Sequence, residues 1–222
     1  MKRLFHLPLS PFSRKVRLVI GEKKIDGVDL VEERTWERRR DFLLLNPAGR
    51  VPVLQLGQVT LSESSAIVEY LEEVHPEPAL LPHTPAGRAE ARRLSAWFDE
   101  KFYREVTYNL LYERVTKKLM KSGHPDGARI RAGATNIRHH LDYMNWLLER
   151  RHWLAGESLT LADFAAAAHL SCLDYINDVD WARSAMVKDW YARIKSRPAF
   201  RPLLSDAVPG LTPPPQYTDL DF

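Results

Sequence analysis

Three short stretches of this 222-residue chain set hydrogen-bonding groups at the start of a helix or beside a constrained proline. The first is Ser10-Pro11-Phe12-Ser13-Arg14-Lys15-Val16-Arg17. Ser10 has the type of a helix N-cap, and Pro11 suits the first helical position, where its missing N–H is no loss. A helix N-terminus favours an anion, and a hydroxyl placed there can donate one hydrogen bond to it. Ser13 is a second donor of the same kind, and simple capping also accounts for Ser10. The second stretch, Asn46 to Leu54, contains Val51-Pro52. An X-Pro bond tolerates the cis form at only ~0.5–1 kcal/mol, so such a turn can present the preceding backbone edge. The third, Leu61 to Ile67, puts Glu63 and Ser64 at the start of another helix, where an acid meets the positive helix end.

Two basic groups stand apart from these stretches. Arg114, Lys117, Lys118 and Lys121 recur at helical spacing on one face, with Arg131 and Arg138 on the next predicted helix. A solvated helix C-terminus explains such lysines, and so does a docking surface for an acidic protein. Trp36 lies among Arg34, Arg38, Arg39 and Arg40, a pairing of residue types common at interface anchors. Nucleic acid is not expected as a partner, because no binding motif is present and acids are interspersed with the bases. The net charge is +3, but the last fourteen residues hold Asp219 and Asp221 and no cation, so the body before them carries +5. A mildly basic body with an acidic tail fits an acidic partner.

Length and composition bound the rest. Apolar residues make up 45% and charged residues 27%, as in ordinary globular chains. A chain of this size buries roughly 70% of its unfolded surface without staples. The single cysteine, Cys172, offers no disulfide framework or metal cluster, and a reducing cytoplasm is expected. No run reaches the ~20 apolar residues of a membrane span, so no membrane insertion is expected. The N-terminal residues read as a first strand and not as a signal peptide.

The elements that must position these residues follow from pattern and punctuation. A strand ends at Pro8; a helix runs from Ser10 to Gly21–Lys24; a second strand covers 28–31; a helix spans Trp36 to Leu45. Residues 51–61 read as a hairpin turning at Gly57-Gln58, and a helix follows from Glu63 to Val74. Prolines at 76, 78, 82 and 85 mark a linker. Beyond it the periodicity is helical: 86–121, 126–151, a helix nucleated by the Thr160/Asp163 capping box, and 185–195. Most of the tryptophans, including Trp97, Trp146, Trp153, Trp181 and Trp190, read as core. The predicted organisation is an α/β thioredoxin-like unit over 1–78, an all-α unit over 84–208, and a Pro-rich acidic tail over 209–222. The tail is expected to be extended, because four of its fourteen residues are proline.

Taken together and in this order, the three stretches resemble the glutathione-binding domain of the glutathione transferase superfamily. That resemblance implies a thioredoxin-like domain with a cis bond at Val51-Pro52, followed by a helical domain. It also implies a site in which Ser10, or Ser13 as a fallback, contacts the glutathione sulfur. Val51 and Pro52 would then face the cysteinyl part, and Glu63 and Ser64 would grip the γ-glutamyl end. Lowering a thiol pKa by two units takes about 2.7 kcal/mol. A helix end supplies roughly 0.3–1 of that, which leaves much of the work to the hydroxyl.

The whole chain is most similar to the FtsZ-localised branch of the superfamily, cytoplasmic division factors of alphaproteobacteria. The stretches that carry this are Trp36-Glu37-Arg38-Arg39, residues 168–175, Asp178-Val179-Asp180-Trp181, residues 188–193, and Tyr217-Thr218-Asp219-Leu220-Asp221-Phe222. The branch implies a homodimer at the division site that binds, curves or bundles FtsZ filaments, promotes constriction, and needs neither catalysis nor a cofactor. It makes Trp36, Arg38, the Arg114–Lys121 face, Asp219, Asp221 and Phe222 candidates for protein contact. The enzyme alternative, conjugation of glutathione to small electrophiles, stays open because the glutathione-contact residue types are largely present. No metal site is expected.

Overall fold

The computed structural model describes residues 2–220. Strand β1 (Lys2–His6) carries the buried Leu4 and Phe5 and lies inside a four-stranded sheet of order β2-β1-β3-β4. Helix α1 (Pro11–Glu22) crosses from β1 to β2 (Asp29–Glu32), as a parallel pair requires. β3 (Val53–Leu56) runs antiparallel to β1 and turns through Gly57-Gln58 into β4 (Val59–Ser62). Gly57 has φ +61°, which a side chain would resist. Helix α2 (Arg40–Leu45) precedes the hairpin and α3 (Ser64–Val74) follows it.

The expected helix from Trp36 to Leu45 is not continuous. Thr35–Glu37 forms a single 3-10 turn, and Arg38 then adopts a left-handed conformation, φ +47°. Arg39 is drawn out of helical register to pair with the buried Glu33 at 2.5 Å. A local tether outweighs the helical pattern.

No helix or strand occupies the proline-rich segment between Val74 and Pro85, yet the segment is held. Lys23 Nζ donates to the carbonyls of His75 (2.6 Å) and Pro78 (3.0 Å), and Glu72 accepts from the N–H groups of Leu80 and Leu81. Beyond it the chain is helical from Pro85 to Met120. Helix α4 (Pro85–Ala96) leads into wider i→i+5 hydrogen bonding over Trp97–Thr116, and α5 (Lys117–Met120) completes it. Helix α6 (Gly127–Leu148) starts at Asp126, which accepts from Ala128 and Arg129, and ends three residues short of the expected Arg151. Helix α7 (Leu161–Tyr175) is buried along its whole length, and both halves of the Thr160/Asp163 capping box are formed. Helix α8 (Ala185–Lys195), α9 (Arg201–Leu204) and α10 (Pro215–Thr218) complete the chain.

One apolar core runs from Leu4 and Val16 of the sheet unit through Phe98 and Phe164 to Leu203. Of the tryptophans expected in it, only Trp190 is fully buried; Trp146 is 49% exposed, with Arg150 over its ring. No helix of the described residues is long and apolar enough to cross a membrane.

Candidate functional site

The site begins with the loop from Leu7 to Ser10. Ser10 sits at φ −83°, ψ 116° and caps α1, its hydroxyl oxygen accepting from the Ser13 N–H at 3.2 Å. The hydroxyl keeps its own proton as a donor, and Ser10 lines the cleft described below. Two groups from below fix the loop: Arg14 Nε donates to the Pro8 carbonyl at 2.7 Å, and Cys172 Sγ donates to that of Leu9 at 3.4 Å. Ser13 is fully buried, its oxygen accepts from the Leu7 N–H at 3.5 Å, and it is not part of the cleft lining described below.

Above Ser10 lies an open cleft of about 510 Å³ between the sheet unit and the long helix. Trp36, Arg50 and Val51 line one side of it. The Val51–Pro52 peptide is cis, as the resemblance implied. The opposite wall is aromatic. Tyr103, Tyr108 and Tyr112 form a ladder with ring centroids 5.9 and 4.8 Å apart, the second pair stacked. Sequence reasoning missed this ladder. A four-residue periodicity does not align Tyr103 with Tyr108, whereas the i→i+5 bonding of this segment does. Ala207, Val208 and Pro209 close the remaining side. The lining is mainly apolar, with hydroxyls at Ser10, Thr35, Thr107 and Thr116, the cations Arg34 and Arg50, and the carboxylate of Glu32, which pairs with Arg34 at 3.6 Å. Such a surface suits an apolar or aromatic molecule with a few polar groups.

Glu63 stands beside the cleft and not in its lining. It holds φ +68°, an uncommon conformation for a residue with a side chain, and pairs with Arg50 at 3.4 Å. Ser64 is buried as the first residue of α3. Below them, Lys15 pairs with Asp99, and His169 bonds Thr107 Oγ1 through Nδ1 at 2.9 Å. Burial opposes the Asp99 charge, but Lys15 and His169 outweigh it and hold the carboxyl below its ordinary pKa. Burial drives the His169 pKa down. Burial also raises Tyr103 and lifts Cys172 to about 11, so neither is an activated anion near neutral pH.

A second cluster lies behind the Ser10 loop. Arg14 is fully buried and bonds Ser171 Oγ (2.9 Å) and Asp206 (3.2 Å), with the rings of Tyr175 and Tyr217 about 6 Å from its guanidinium carbon. Arg17 grips the same Asp206 carboxylate at 2.8 and 2.9 Å. The tail enters here. Pro214, at φ −67°, ψ 155°, has the extended geometry expected from the prolines; the chain then makes one helical turn and buries Tyr217 completely. The Tyr217 hydroxyl donates to the Leu203 carbonyl at 2.9 Å, and Lys195 Nζ donates to that of Gln216 at 2.6 Å. The tail therefore folds back, because a buried ring and a buried ammonium outweigh the proline preference. Asp219 is exposed and adds attraction to Lys195; Asp221 and Phe222 lie outside the described residues.

The expected basic face is largely spent within the chain. Arg114 pairs with Asp178 at 2.7 Å, Lys117 with the buried Glu113 at 2.6 Å, and Lys118 donates to the Gly210 carbonyl at 2.9 Å. Lys121 ends the helix in a left-handed conformation, and both it and Arg38 are exposed. The cleft thus brings together Ser10, Trp36 and Val51, while the α5 cations and Asp219 lie apart from it. No cluster of three or more metal-ligating side chains occurs among the described residues.

Comparison with known proteins follows this geometry. Residues 4–79 match the family model of the glutathione S-transferase N-terminal domain, and residues 126–205 that of the C-terminal domain. FtsZ-localized protein A of Caulobacter vibrioides is 49% identical, over 100% of this chain and 98% of that protein. A crystal structure of a glutathione S-transferase from Rhodospirillum rubrum superposes with a TM-score of 0.97 at 52% identity, covering both chains completely. FzlA from C. crescentus superposes with a TM-score of 0.96 at 49% identity, covering 100% of this chain and 99% of that one.

Proposed function

The chain belongs to the glutathione S-transferase family, and from that premise we propose that it is a non-catalytic division protein. In this reading it binds FtsZ filaments in the cytoplasm at the division site, curves or bundles them, and promotes constriction. One observation carries the proposal: the 49% identity to FtsZ-localized protein A extends over the whole chain, through the segment beyond residue 205 that the C-terminal family match leaves out. In this fold that segment is built in through Tyr217, which supports a role for it beyond a loose end.

The contact would combine the exposed tail turn with the basic body. FtsZ is acidic, so a body of net positive charge steers the encounter and makes it salt-sensitive. A homodimer would present the surface twice, and a second contact along one filament is then effectively intramolecular.

Cosedimentation with FtsZ and GTP tests this. The native chain is expected in the pellet, and Asp219→Lys, which reverses charge at an exposed position, is expected to weaken binding severalfold. Absence of the native chain from the pellet sinks the proposal; unchanged binding by Asp219→Lys removes the tail from it. Deleting residues 217–222 is a poor substitute, because it also removes the buried Tyr217.

The open cleft favours a second reading, glutathione conjugation to small electrophiles. Ser10 would donate to the thiolate, with Val51, Glu63 and Ser64 around the rest of the molecule. Calorimetry with millimolar glutathione separates the two, and a titration without heat, together with no conjugate formed, disposes of the enzyme.

A further inference from the structure

Residues 114–131 hold six lysines and arginines against a single acid, Asp126. They form the turn by which the long helix passes into α6. The two helices pack closely where Gly133 meets Leu110, whose Cγ would stand 2.8 Å from a Cβ added at the glycine. Beyond that contact the chain forms a tip, and every residue from Met120 to Arg129 is exposed. The tip is braced from beneath. Glu113, only 1% exposed, pairs with Lys117 at 2.6 Å and accepts from the Asp126 N–H at 2.8 Å. Lys121 at φ +51° and Gly123 at φ +120° reverse the chain, and the Ser122 N–H donates to the Lys117 carbonyl at 3.0 Å.

The charges of this tip are sorted by depth. Glu113 lies buried under the turn, where it neutralises Lys117, and Arg114 is held by Asp178. Asp126 turns its carboxylate to the Ala128 and Arg129 N–H groups as the cap of α6. Three cations are left outside this pairing. Lys118 meets a carbonyl, that of Gly210, and so keeps its full charge. Lys121 and Arg131 are exposed and have no acidic partner among the described residues. Between Lys118 and Lys121 in the chain, Met120 is 36% exposed.

We propose that this tip docks on an anionic phospholipid surface, with Lys118, Lys121 and Arg131 against the headgroups and Met120 entering the interface. The contact is peripheral, since no helix of the described residues is long and apolar enough to cross a bilayer. Cations near an anionic leaflet are attracted one by one, and the attraction falls off within a Debye length. An apolar side chain beside them supplies the second signal that lasting attachment needs. The shape favours lipid over an acidic protein. An exposed turn carrying an apolar side chain offers no groove to a rigid partner, whereas a fluid headgroup layer moulds around it. The proposal is independent of the FtsZ reading, because the bilayer is the partner and no filament is required.

The probe is a sedimentable vesicle of phosphatidylglycerol and phosphatidylcholine mixed one to three, with pure phosphatidylcholine vesicles beside it and no FtsZ present. The full chain is expected to pellet with the anionic vesicles at low salt, to be released as salt rises, and to ignore the neutral ones. Lys121→Glu and Arg131→Glu are each expected to weaken binding about tenfold. Lys24→Glu makes the same change of net charge at an exposed position of the sheet unit and is expected to leave binding nearly unchanged. Met120→Ser keeps every charge and is expected to weaken binding about threefold. Failure of the native chain to pellet with anionic vesicles overturns the proposal. Equal losses in Lys121→Glu and Lys24→Glu overturn it too, because net charge and not the tip would then carry the attraction. Weaker FtsZ cosedimentation by Lys121→Glu, with its vesicle binding unchanged, would assign the tip to acidic protein and also overturn it. If FtsZ never binds, the function reading fails while the vesicle arm still decides this one.

Discussion

Ser10 shows how much a local signal can carry and where it stops. A serine before a proline-led helix is readable as a cap because the cap uses neighbours in the chain, here the Ser13 N–H. Replacing it with alanine is expected to cost about 1 kcal/mol by thermal melting, and with glycine only a few tenths. The burial of Arg14 has no such signal, since its partners Asp206 and Tyr217 come from the other end of the chain and no local pattern announces them. The same holds for His6. Burial first, then the nearby Arg17, lowers its pKa from 6.5 to about 4. The unfolded chain therefore takes up this proton before the folded one does. The stabilisation from a neutral His6 is complete above pH 6.5 and is lost as pH falls towards 4. By pH 5 the loss is on the order of 2 kcal/mol from this group. The drop in melting temperature between pH 7 and pH 5 is expected to shrink in His6→Gln, and an identical drop in both proteins would remove His6 from the account.

At the scale of elements, the pattern was most legible where capping and periodicity agree. The α8 helix from Ala185 to Lys195 and the capping box of α7 are formed as the residues indicate. Asp163 does more than cap. Its carboxylate accepts from the Thr160 and Leu154 N–H groups and from Trp190 Nε1, each at 2.9 Å, and so ties α7 to α8 and to the preceding loop. Asp163→Ala is expected to destabilise the fold by about 3 kcal/mol or more, read by urea unfolding, because three buried donors lose their acceptor together. Periodicity misled where a partner outside the element competes. Arg39 leaves the helical pattern for Glu33, and the tail prolines give way to Tyr217. The tyrosine ladder of the cleft was hidden for a different reason: it depends on wider helical bonding that the residue types do not encode in an obvious way.

At the scale of the molecule, the glutathione S-transferase architecture was legible from three short stretches because each is a turn or helix start whose geometry depends on its own residues. What the family framework is used for lies in longer-range features. The segment after residue 205 contributes Asp206 and Tyr217 to the cluster around the buried Arg14 behind the cleft. The paired state of Arg114, Lys117 and Lys118 moves any electrostatic contribution to filament contact toward the remaining surface cations, Lys121 among them. Lys121→Glu is accordingly expected to weaken FtsZ cosedimentation more than Lys117→Ala does at equal melting temperature, with binding compared across a salt series. The most direct test of the central proposal is electron microscopy of FtsZ polymerised with GTP, with and without the purified chain. Curved, bundled filaments in its presence are the predicted result, and straight single filaments indistinguishable from FtsZ alone would contradict it.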